Sequence, residues 1–310
     1  MEIELHRKLL GDGLRNRAFQ RALEQLIEPG KTTVVDIGAG TGFLSLLAAR
    51  LGAAHCTLVE YADTLELAQQ LARANGITTL TFMRAHSQEI RKPPKVDLVI
   101  SETLGNYALE EGLLETLVDA RRFLKPRGRL IPGRLRQFVA PVVAPRLQQE
   151  LDIWGQVGFD LELAPARRVS LNNMYVKTLR PDELAGADSA RLWDDLDFSP
   201  AAKAPESKRE KTVRWDAPLP VVHGFALWWE CELVPGISIS TSPWAEPTHW
   251  EQVYLPLLQP AELAKGDTME LSLGSDTRPE VGLRVTWKTR VLRGKKPVSE
   301  QSQDTFQGRL

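Results

Sequence analysis

The chain has 310 residues, of which 43% are hydrophobic and 25% charged, an ordinary balance for a globular protein that buries its own core. Its formal net charge of −1 gives no electrostatic reason to expect nucleic acid as a partner. The sequence holds no apolar run long enough for a signal peptide or a membrane span. The two cysteines, Cys56 and Cys231, form no zinc or disulfide spacing, so we expect no metal and a reducing, cytoplasmic compartment.

The first part of the chain alternates helix and strand signals. Apolar residues at helical spacing predict a helix over residues 5–27, interrupted near Gly11–Gly13. The segments that follow are short β-branched runs and amphipathic stretches. They predict strands at 33–37, 56–60, 80–84, 96–101 and 129–131, and helices at 43–51, 65–75 and 111–124. This alternation predicts an α/β domain over residues 1–131 with a parallel sheet and right-handed crossovers.

The pattern changes after Ile131–Gly133. Helical periodicity fades, and Gly and Pro residues separate extended runs at 136–143, 212–215, 224–233, 250–257, 268–273 and 282–292. Such spacing predicts an antiparallel β-barrel or sandwich over residues 132–310. Residues 161–210 are rich in charge, Pro and Ala, which indicates an excursion from this domain and then a loop. The polar residues 294–310 are expected to form a frayed end or an edge strand.

The strongest motif follows the first predicted strand. Gly38, Gly40 and Gly42 alternate with other residues, which lets the chain turn sharply and lets its backbone approach a ligand. A dinucleotide site has the pattern G-x-G-x-x-G, but here the third glycine comes one position early and Phe43 takes its place. The pattern G-x-G-x-G resembles the first motif of class I methyltransferases. Asp36 at the strand end suits the ammonium group of S-adenosylmethionine.

Two later segments complete the predicted cofactor site. The second predicted strand ends at Glu60, where a carboxylate can accept hydrogen bonds from both ribose hydroxyls. The third strand leads to Ser87 and Gln88, where an edge of the adenine would lie. In the alternative interpretation the glycines only make a tight turn and Glu60 is a solvated strand end. For Gln88 taken alone, the alternative that the residue has no role in cofactor binding has the most weight.

A second group of polar residues follows the fourth predicted strand, at the edge where open α/β sheets bind ligands. Residues 101–112, SETLGNYALEEG, carry three carboxylates and two glycines that let the segment fold into a hairpin loop. Glu102 and Glu111 can both face one pocket, where a cation between them relieves their repulsion. A guanidinium fits best, because its planar donors pair with carboxylates in bidentate fashion. Glu110 is the alternative to Glu111 as the inward carboxylate.

Together these motifs resemble the protein arginine methyltransferase family. Ser101–Glu111 matches the family's double-glutamate loop, S-E-x-x-G-x-x-x-x-x-E. His6–Arg15 is similar to its H-x-x-M-L-x-D-x-x-R segment, and Thr248–Trp250 to its THW loop. Gly158–Asp160 opens the region that forms a dimerisation arm in the family. The likeness spans about residues 6–300, and four separated motifs in the family's order are far more specific than any one of them.

The resemblance implies a fold and roles for further residues. The fold would be a Rossmann-like methyltransferase domain followed by a mostly antiparallel β-barrel, with an inserted dimerisation arm at about residues 161–200. By resemblance, Arg15 would hold the cofactor carboxylate and Trp250 would form a wall of the acceptor pocket. His249 would pair with Asp12 and receive the proton released in the reaction.

The sequence also departs from the family pattern. Only five residues precede His6, where the family has a tyrosine-rich helix over cofactor and acceptor. Thr103 stands where a bulky residue is usual, and Leu9 and Leu113 replace methionines of the substrate pocket. We expect a homodimeric enzyme that uses S-adenosylmethionine to methylate arginine in a protein or peptide. The alternatives are a methyltransferase of a small guanidino or amino metabolite and a catalytically silent, cofactor-binding dimeric scaffold.

Overall fold

The computed structural model describes residues 3–309, and the chain divides into two compact units. The first unit contains the chain up to Leu135, together with Leu196–Pro205 and Glu230–Ser240. The second unit is made of the rest, namely Arg136–Asp195, Glu206–Trp229 and the chain from Thr241 onward. The main division between the units falls between Leu135 and Arg136, and two later segments return to the first unit.

The first unit is built on a parallel sheet of five strands. The strands are β1 Thr33–Ile37, β2 His55–Val59, β3 Leu80–Met83, β4 Val96–Ile100 and β5 Leu124–Ile131, in the spatial order β3-β2-β1-β4-β5. Five helices accompany them: α1 Ile3–Gly11, α2 Gly13–Leu26, α3 Phe43–Arg50, α4 Thr64–Ala74 and α5 Leu113–Ala120. The strand order reverses between β1 and β4. The carboxyl ends of these two strands therefore meet at the switch point where such sheets bind ligands.

Burial of apolar side chains holds this sheet and its helices together. β1 and β4 are central strands, and their residues Val34, Val35 and Val99 are fully buried. Such continuous apolar runs are typical of parallel strands that are covered on both faces. Phe19 and Leu23 of α2, four residues apart on one helical face, are also fully buried. Each buried side chain of this size contributes about 1.5–3 kcal/mol to stability.

The predicted interruption of the N-terminal helix is confirmed at Asp12. This residue has an extended conformation, with φ −79° and ψ 92°, and it caps α2. Its Oδ1 accepts a hydrogen bond from the backbone N–H of Arg15 at 2.9 Å, which satisfies a donor of the first helical turn. The cap fixes the start of α2 and with it the buried position of Arg15.

The remaining strands form two sheets with antiparallel pairing. One sheet has the order β7-β12-β10-β6-β8, from β6 Arg134–Val142, β7 Tyr175–Lys177, β8 Arg191–Asp197, β10 Val222–Val234 and β12 Gln252–Ala261, with β11 Ile237–Ser240 paired to β10. The other has the order β15-β14-β13-β9, from β9 Lys208–Asp216, β13 Asp267–Asp276, β14 Arg284–Arg293 and β15 Lys296–Asp304. The polar C-terminal segment is thus an edge strand, one of the two expected alternatives.

Two segments that lie within residues 132–310, Leu196–Pro205 and Glu230–Ser240, are grouped with the first unit. β11 pairs with the end of β10, with Cys231 opposite Ile239, and it packs against α2. Phe198 is fully buried in the first unit, and its N–H donates to the carbonyl of Gly133 at 2.9 Å. The contact of β11 with α2 and the bond of Phe198 to Gly133 both join residues that are distant in sequence, so the local pattern did not reveal where these segments belong.

A helical excursion lies between β6 and β7. It contains α6 Pro145–Leu151 and α7 Ala164–Ser170, so it begins before the predicted arm at 161–200. Arg167 of α7 donates to Asp152 at 2.5 and 3.0 Å and to the carbonyl of Leu258 at 3.0 Å, which fixes the base of the excursion. Its tip exposes four large apolar side chains, those of Ile153, Val157, Phe159 and Leu161. Over residues 3–309, no helix has the length and apolarity that crossing a membrane requires.

Candidate active site

The glycine motif forms the turn between β1 and α3. Gly38 and Gly40 have φ values of +71° and +53°, in the left-handed region that favours glycine. A Cβ on Gly38 would lie 2.9 Å from Cγ2 of Thr103, and one on Gly40 would lie 2.8 Å from Cε1 of His6. Gly42, also left-handed, caps the N-terminus of α3. The turn therefore passes through a space that only glycine can fill, at the carboxyl end of β1.

Glu60 stands beside this turn at the end of β2. Its side chain is buried, and its Oε2 accepts a hydrogen bond from the N–H of Gly40 at 2.9 Å. The other oxygen, Oε1, accepts from the N–H of Ala62 at 2.8 Å. Each carboxylate oxygen can accept a further bond, so the two oxygens are held ready for a pair of neighbouring hydroxyls.

Asp36, the residue before the last of β1, is buried next to the turn. Burial raises the pKa of its carboxyl to about 6, against the opposing effect of hydrogen bonds from Ser45, whose Oγ donates to Oδ2 at 2.8 Å. The charges of Glu102 and Arg15 also act on this pKa, with opposite signs. A cationic group bound beside Asp36 would favour its charged form.

His6 is a site residue that the sequence analysis quoted in a motif but gave no role. Helix α1 buries its imidazole over Gly40, and Nε2 makes no hydrogen bond to any of residues 3–309. Burial lowers the pKa of this imidazole, while the nearby charges of Glu60 and Glu102 oppose the shift. His6 therefore brings a ring nitrogen with unused hydrogen-bonding capacity to the glycine turn, which makes it a candidate for contact with a ligand.

The polar groups around the turn fit S-adenosylmethionine. Two buried atoms that border it, His6 Nε2 and Thr103 Oγ1, have no hydrogen-bond partner within the described part of the chain. Buried polar atoms are rarely left in this state unless a ligand or water completes them. Asp36, Glu60 and Arg15 add two carboxylates and a guanidinium. This set matches a ligand with a ribose diol, an ammonium and a carboxylate.

Arg15 and Glu102 form a buried ion pair that the sequence analysis did not foresee. Their side chains are 3% and 5% exposed. Nε of Arg15 donates to Oε2 of Glu102 at 3.0 Å, Nη2 donates to the same oxygen, and Nη1 donates to Oδ1 of Asn16 at 2.9 Å. Oε1 of Glu102 accepts from the N–H of Leu104 at 3.3 Å. The pair orients the first glutamate of the acceptor loop and gives its buried charge a partner.

The second glutamate of the loop is in a different electrostatic situation. Glu111 is an exposed residue, but partial desolvation of its carboxyl, followed by the negative charges of Glu102 and Glu110, raises its pKa to about 7. Glu110 instead turns back onto its own loop, where Oε1 accepts from the N–H of Asn106 at 2.8 Å. The carboxylates of Glu111 and Glu102 therefore repel each other, whereas that of Glu110 accepts a hydrogen bond from its own loop. This difference favours Glu111 as the acceptor-binding carboxylate.

Ser87 and Gln88 lie on a single 3-10 turn, Ser87–Glu89, after β3. Ser87 is buried and Gln88 is exposed. The preceding residue, His86, stacks on Tyr61 with ring centroids 4.2 Å apart and an interplanar angle of 13°. Since Tyr61 follows Glu60, this aromatic pair joins the ends of β2 and β3 beside the predicted adenine position. Sequence reasoning missed the pair because neither residue belongs to a motif.

The other predicted pocket residues are distributed over both units. In the first unit Leu9 is half-buried on α1, and Leu113, the first residue of α5, is fully buried. In the second unit His249 is half-buried, and its ring centroid lies 3.8 Å from that of Trp250, which is itself buried. The pairing of His249 with Asp12 stays a prediction. Among residues 3–309, no cluster of His, Cys, Asp and Glu side chains is suited to a metal ion.

Known proteins provide an independent comparison. Residues 29–162 match a family model described as a methyltransferase domain, and residues 136–283 match one described as the arginine methyltransferase oligomerization subdomain. Protein arginine N-methyltransferase 1 of Dictyostelium discoideum is 30% identical over 261 residues, which cover 80% of this chain and 74% of that protein. The chain belongs to the protein arginine methyltransferase family. The resemblance inferred from its motifs is thereby confirmed.

Further members of the arginine methyltransferase family agree with this assignment. Protein arginine N-methyltransferase 6 of Xenopus laevis is 27% identical over 270 residues, covering 83% of this chain and 78% of that protein. The PRMT1 enzyme–prozyme heterotetrameric complex of Trypanosoma brucei with AdoHcy matches with a TM-score of 0.84 at 23% identity, over 98% of both chains. Protein arginine methyltransferase 10 of Arabidopsis thaliana gives 0.80 at 20% identity, over 97% of both chains. These structures share the fold, which confirms the predicted fold class.

Proposed function

We propose that this chain transfers a methyl group from S-adenosylmethionine to a guanidino nitrogen of arginine in a protein or peptide. The observation that carries the proposal is the unequal carboxylate pair. Glu102 already has a cationic partner in Arg15, whereas the pKa of Glu111 is raised to about 7 by burial and by the charges of Glu102 and Glu110. A guanidinium placed between the two would relieve this repulsion and pair with both.

The acceptor loop is able to hold such a group. Arg15 donates to Oε2 of Glu102, and Oε1 receives one bond, from Leu104 N, among residues 3–309. A carboxylate oxygen has two lone pairs, so Oε1 keeps capacity for one donor of the acceptor. Glu111 supplies the second carboxylate from the other side of the loop. Glu102 would then bridge two guanidinium groups, that of Arg15 and that of the substrate.

In the reaction, S-adenosylmethionine supplies a methyl group on a sulfonium sulfur. Glu102 and Glu111 orient the acceptor, concentrate its lone-pair density on one nitrogen and stabilise the positive charge that remains in the transition state. Correct placement of two reactants can lower the activation free energy by about 7–11 kcal/mol at best. Asp12 and His249 are proposed to accept the released proton, with the imidazole as the base.

The test compares Glu102→Gln, Glu111→Gln and the matched control Glu110→Gln. We expect the first two to lower kcat/KM for an arginine peptide by about 100- to 1000-fold, the effect of removing one charge-stabilising group. Glu110→Gln should stay within a few-fold of wild type. Mass spectrometry of the products counts the transferred methyl groups. Full turnover by both pocket variants would contradict the mechanism.

The same assay distinguishes the alternative functions. A panel of arginine peptides and free guanidines identifies the acceptor. Methylation of free guanidines alone would favour the small-metabolite alternative. Binding of S-adenosylhomocysteine without turnover of any acceptor would favour the silent scaffold.

We also propose that the protein forms a homodimer through the tip of the helical excursion. The side chain of Phe159 is 87% exposed and stands in a left-handed loop, φ +60°, next to Asp160 at φ +54°. A large exposed aromatic side chain among other apolar residues is typical of an interface anchor. Phe159→Ala should shift the protein toward monomer in sedimentation velocity, whereas Val298→Ala, at an exposed apolar position on β15, should not. An unchanged dimer in Phe159→Ala would exclude this interface.

A further inference from the structure

Thr103 carries a buried hydroxyl that no atom of the described residues, 3–309, satisfies. Its Oγ1 makes no hydrogen bond to any of these residues, while its Cγ2 lies 2.9 Å from the position that a Cβ on Gly38 would take. A buried hydroxyl without a partner destabilises the folded state, and a valine would fill the same space without that penalty. Packing alone therefore does not account for a threonine at this position.

The position of Thr103 indicates what its hydroxyl contacts. The residue follows Glu102 in the chain and borders the glycine turn at Gly38, whereas His6 borders the same turn at Gly40. Asp36, at the end of β1, and the guanidinium of Arg15, paired with Glu102, supply opposite charges close by. This end of the site is therefore suited to a zwitterion that carries an ammonium and a carboxylate.

We propose that the Thr103 hydroxyl hydrogen-bonds to the amino-acid end of the bound cofactor and positions it in the glycine turn. A hydroxyl can accept from an ammonium and donate to a carboxylate, so it can serve either group of a zwitterion. The inference rests on the proposed function, because it requires S-adenosylmethionine in this site. A trapped water is the competing partner for the hydroxyl, and it would give Thr103 no role in binding.

Two variants and two ligands separate these cases. Thr103→Val keeps the branched shape and the methyl group against Gly38 but removes the hydroxyl. Thr103→Ser keeps the hydroxyl but removes the methyl group. S-adenosylhomocysteine has the complete amino-acid end, whereas methylthioadenosine has the same nucleoside and thioether but neither ammonium nor carboxylate. Isothermal titration gives the Kd of each ligand for each protein.

We expect Thr103→Val to weaken S-adenosylhomocysteine binding about tenfold, the effect of one lost hydrogen bond, and to change methylthioadenosine binding less than about twofold. Thr103→Ser should keep both affinities within about threefold. Unchanged affinity of Thr103→Val for S-adenosylhomocysteine would overturn the proposal in favour of a trapped water. An equal loss of affinity for both ligands in Thr103→Val, or an equal loss of S-adenosylhomocysteine affinity in both variants, would overturn the proposal. Thr103 would then act through its packing against the glycine turn. Failure of the wild type to bind either ligand would instead contradict the cofactor site on which the proposed function depends.

Discussion

The pH dependence of acceptor binding is the most direct test of the carboxylate pair. Glu111 must be charged to pair with a guanidinium, and burial and the charges of Glu102 and Glu110 raise its pKa to about 7. With that pKa, about 10% of the protein carries a charged Glu111 at pH 6 and about 90% at pH 8. The affinity for an arginine peptide should therefore rise almost tenfold between these two pH values.

The sign follows from proton linkage. Because the guanidinium binds the charged form, binding lowers the pKa of Glu111 and releases protons. At pH 7 about half a proton should leave for each peptide bound, which is the fraction protonated beforehand. Titration calorimetry in buffers of different ionisation enthalpy measures this number directly. S-adenosylhomocysteine is kept saturating, so that only the acceptor step is followed.

Glu110→Gln is the informative variant for this experiment. The charge of Glu110 contributes to the raised pKa of Glu111, so its removal should move the whole profile to lower pH without loss of affinity at pH 8. Peptide affinity that does not change between pH 6 and pH 8, or a profile in Glu110→Gln identical to that of wild type, would refute this account of the pair.

Two further changes test the structural basis of the site. Arg15→Met leaves Glu102 buried without its partner, so we expect unfolding in urea to show a loss of about 3–5 kcal/mol, part of which the double variant with Glu102→Gln should restore. An undiminished free energy of unfolding in Arg15→Met would show that the pair is not the buried interaction described. In Gly40→Ala the new Cβ would press against His6, and residue 40 would have to keep a φ of +53°, which favours glycine. We therefore expect S-adenosylhomocysteine to bind this variant at least about tenfold more weakly. The control is Gly11→Ala, whose new Cβ would meet no atom within 4 Å, and it should bind S-adenosylhomocysteine as the wild type does.

Local patterns were sufficient for most of the parallel sheet. β1 lies at residues 33–37 as expected, and β2 begins one residue before its predicted start, because a β-branched run before a glycine turn is a local signal. β5 was expected only at 129–131, since Pro126 and Gly128 indicate a turn. In the structure the strand continues through them as a bulge, with Arg127 at φ +67° and a register shift against β4. β7 and β11, with three and four residues, are too short to show an alternating pattern.

The site was only partly accessible to sequence reasoning, for a similar reason. The glycine turn, Glu60 and the glutamate loop are local motifs, and they could be found from residue types and spacing. The bond between Arg15 and Glu102 joins residues 87 positions apart, and no local pattern indicates it. The choice of Glu111 over Glu110 depends on backbone N–H groups of the loop, those of Asn106 and Tyr107, which donate to the Glu110 carboxylate.

The unequal state of the two glutamates also bears on which acceptors the site can use. Glu102 has a permanent cationic partner in Arg15, but the charged form of Glu111 is disfavoured by burial and by two neighbouring carboxylates. Only an acceptor that brings its own positive charge removes this penalty, and a planar guanidinium does so with donors for both carboxylates. A neutral hydroxyl compound would not favour the charged form of Glu111 and would gain no ion pair. The same electrostatic imbalance that raises the pKa of Glu111 therefore selects cationic acceptors over neutral ones of similar size.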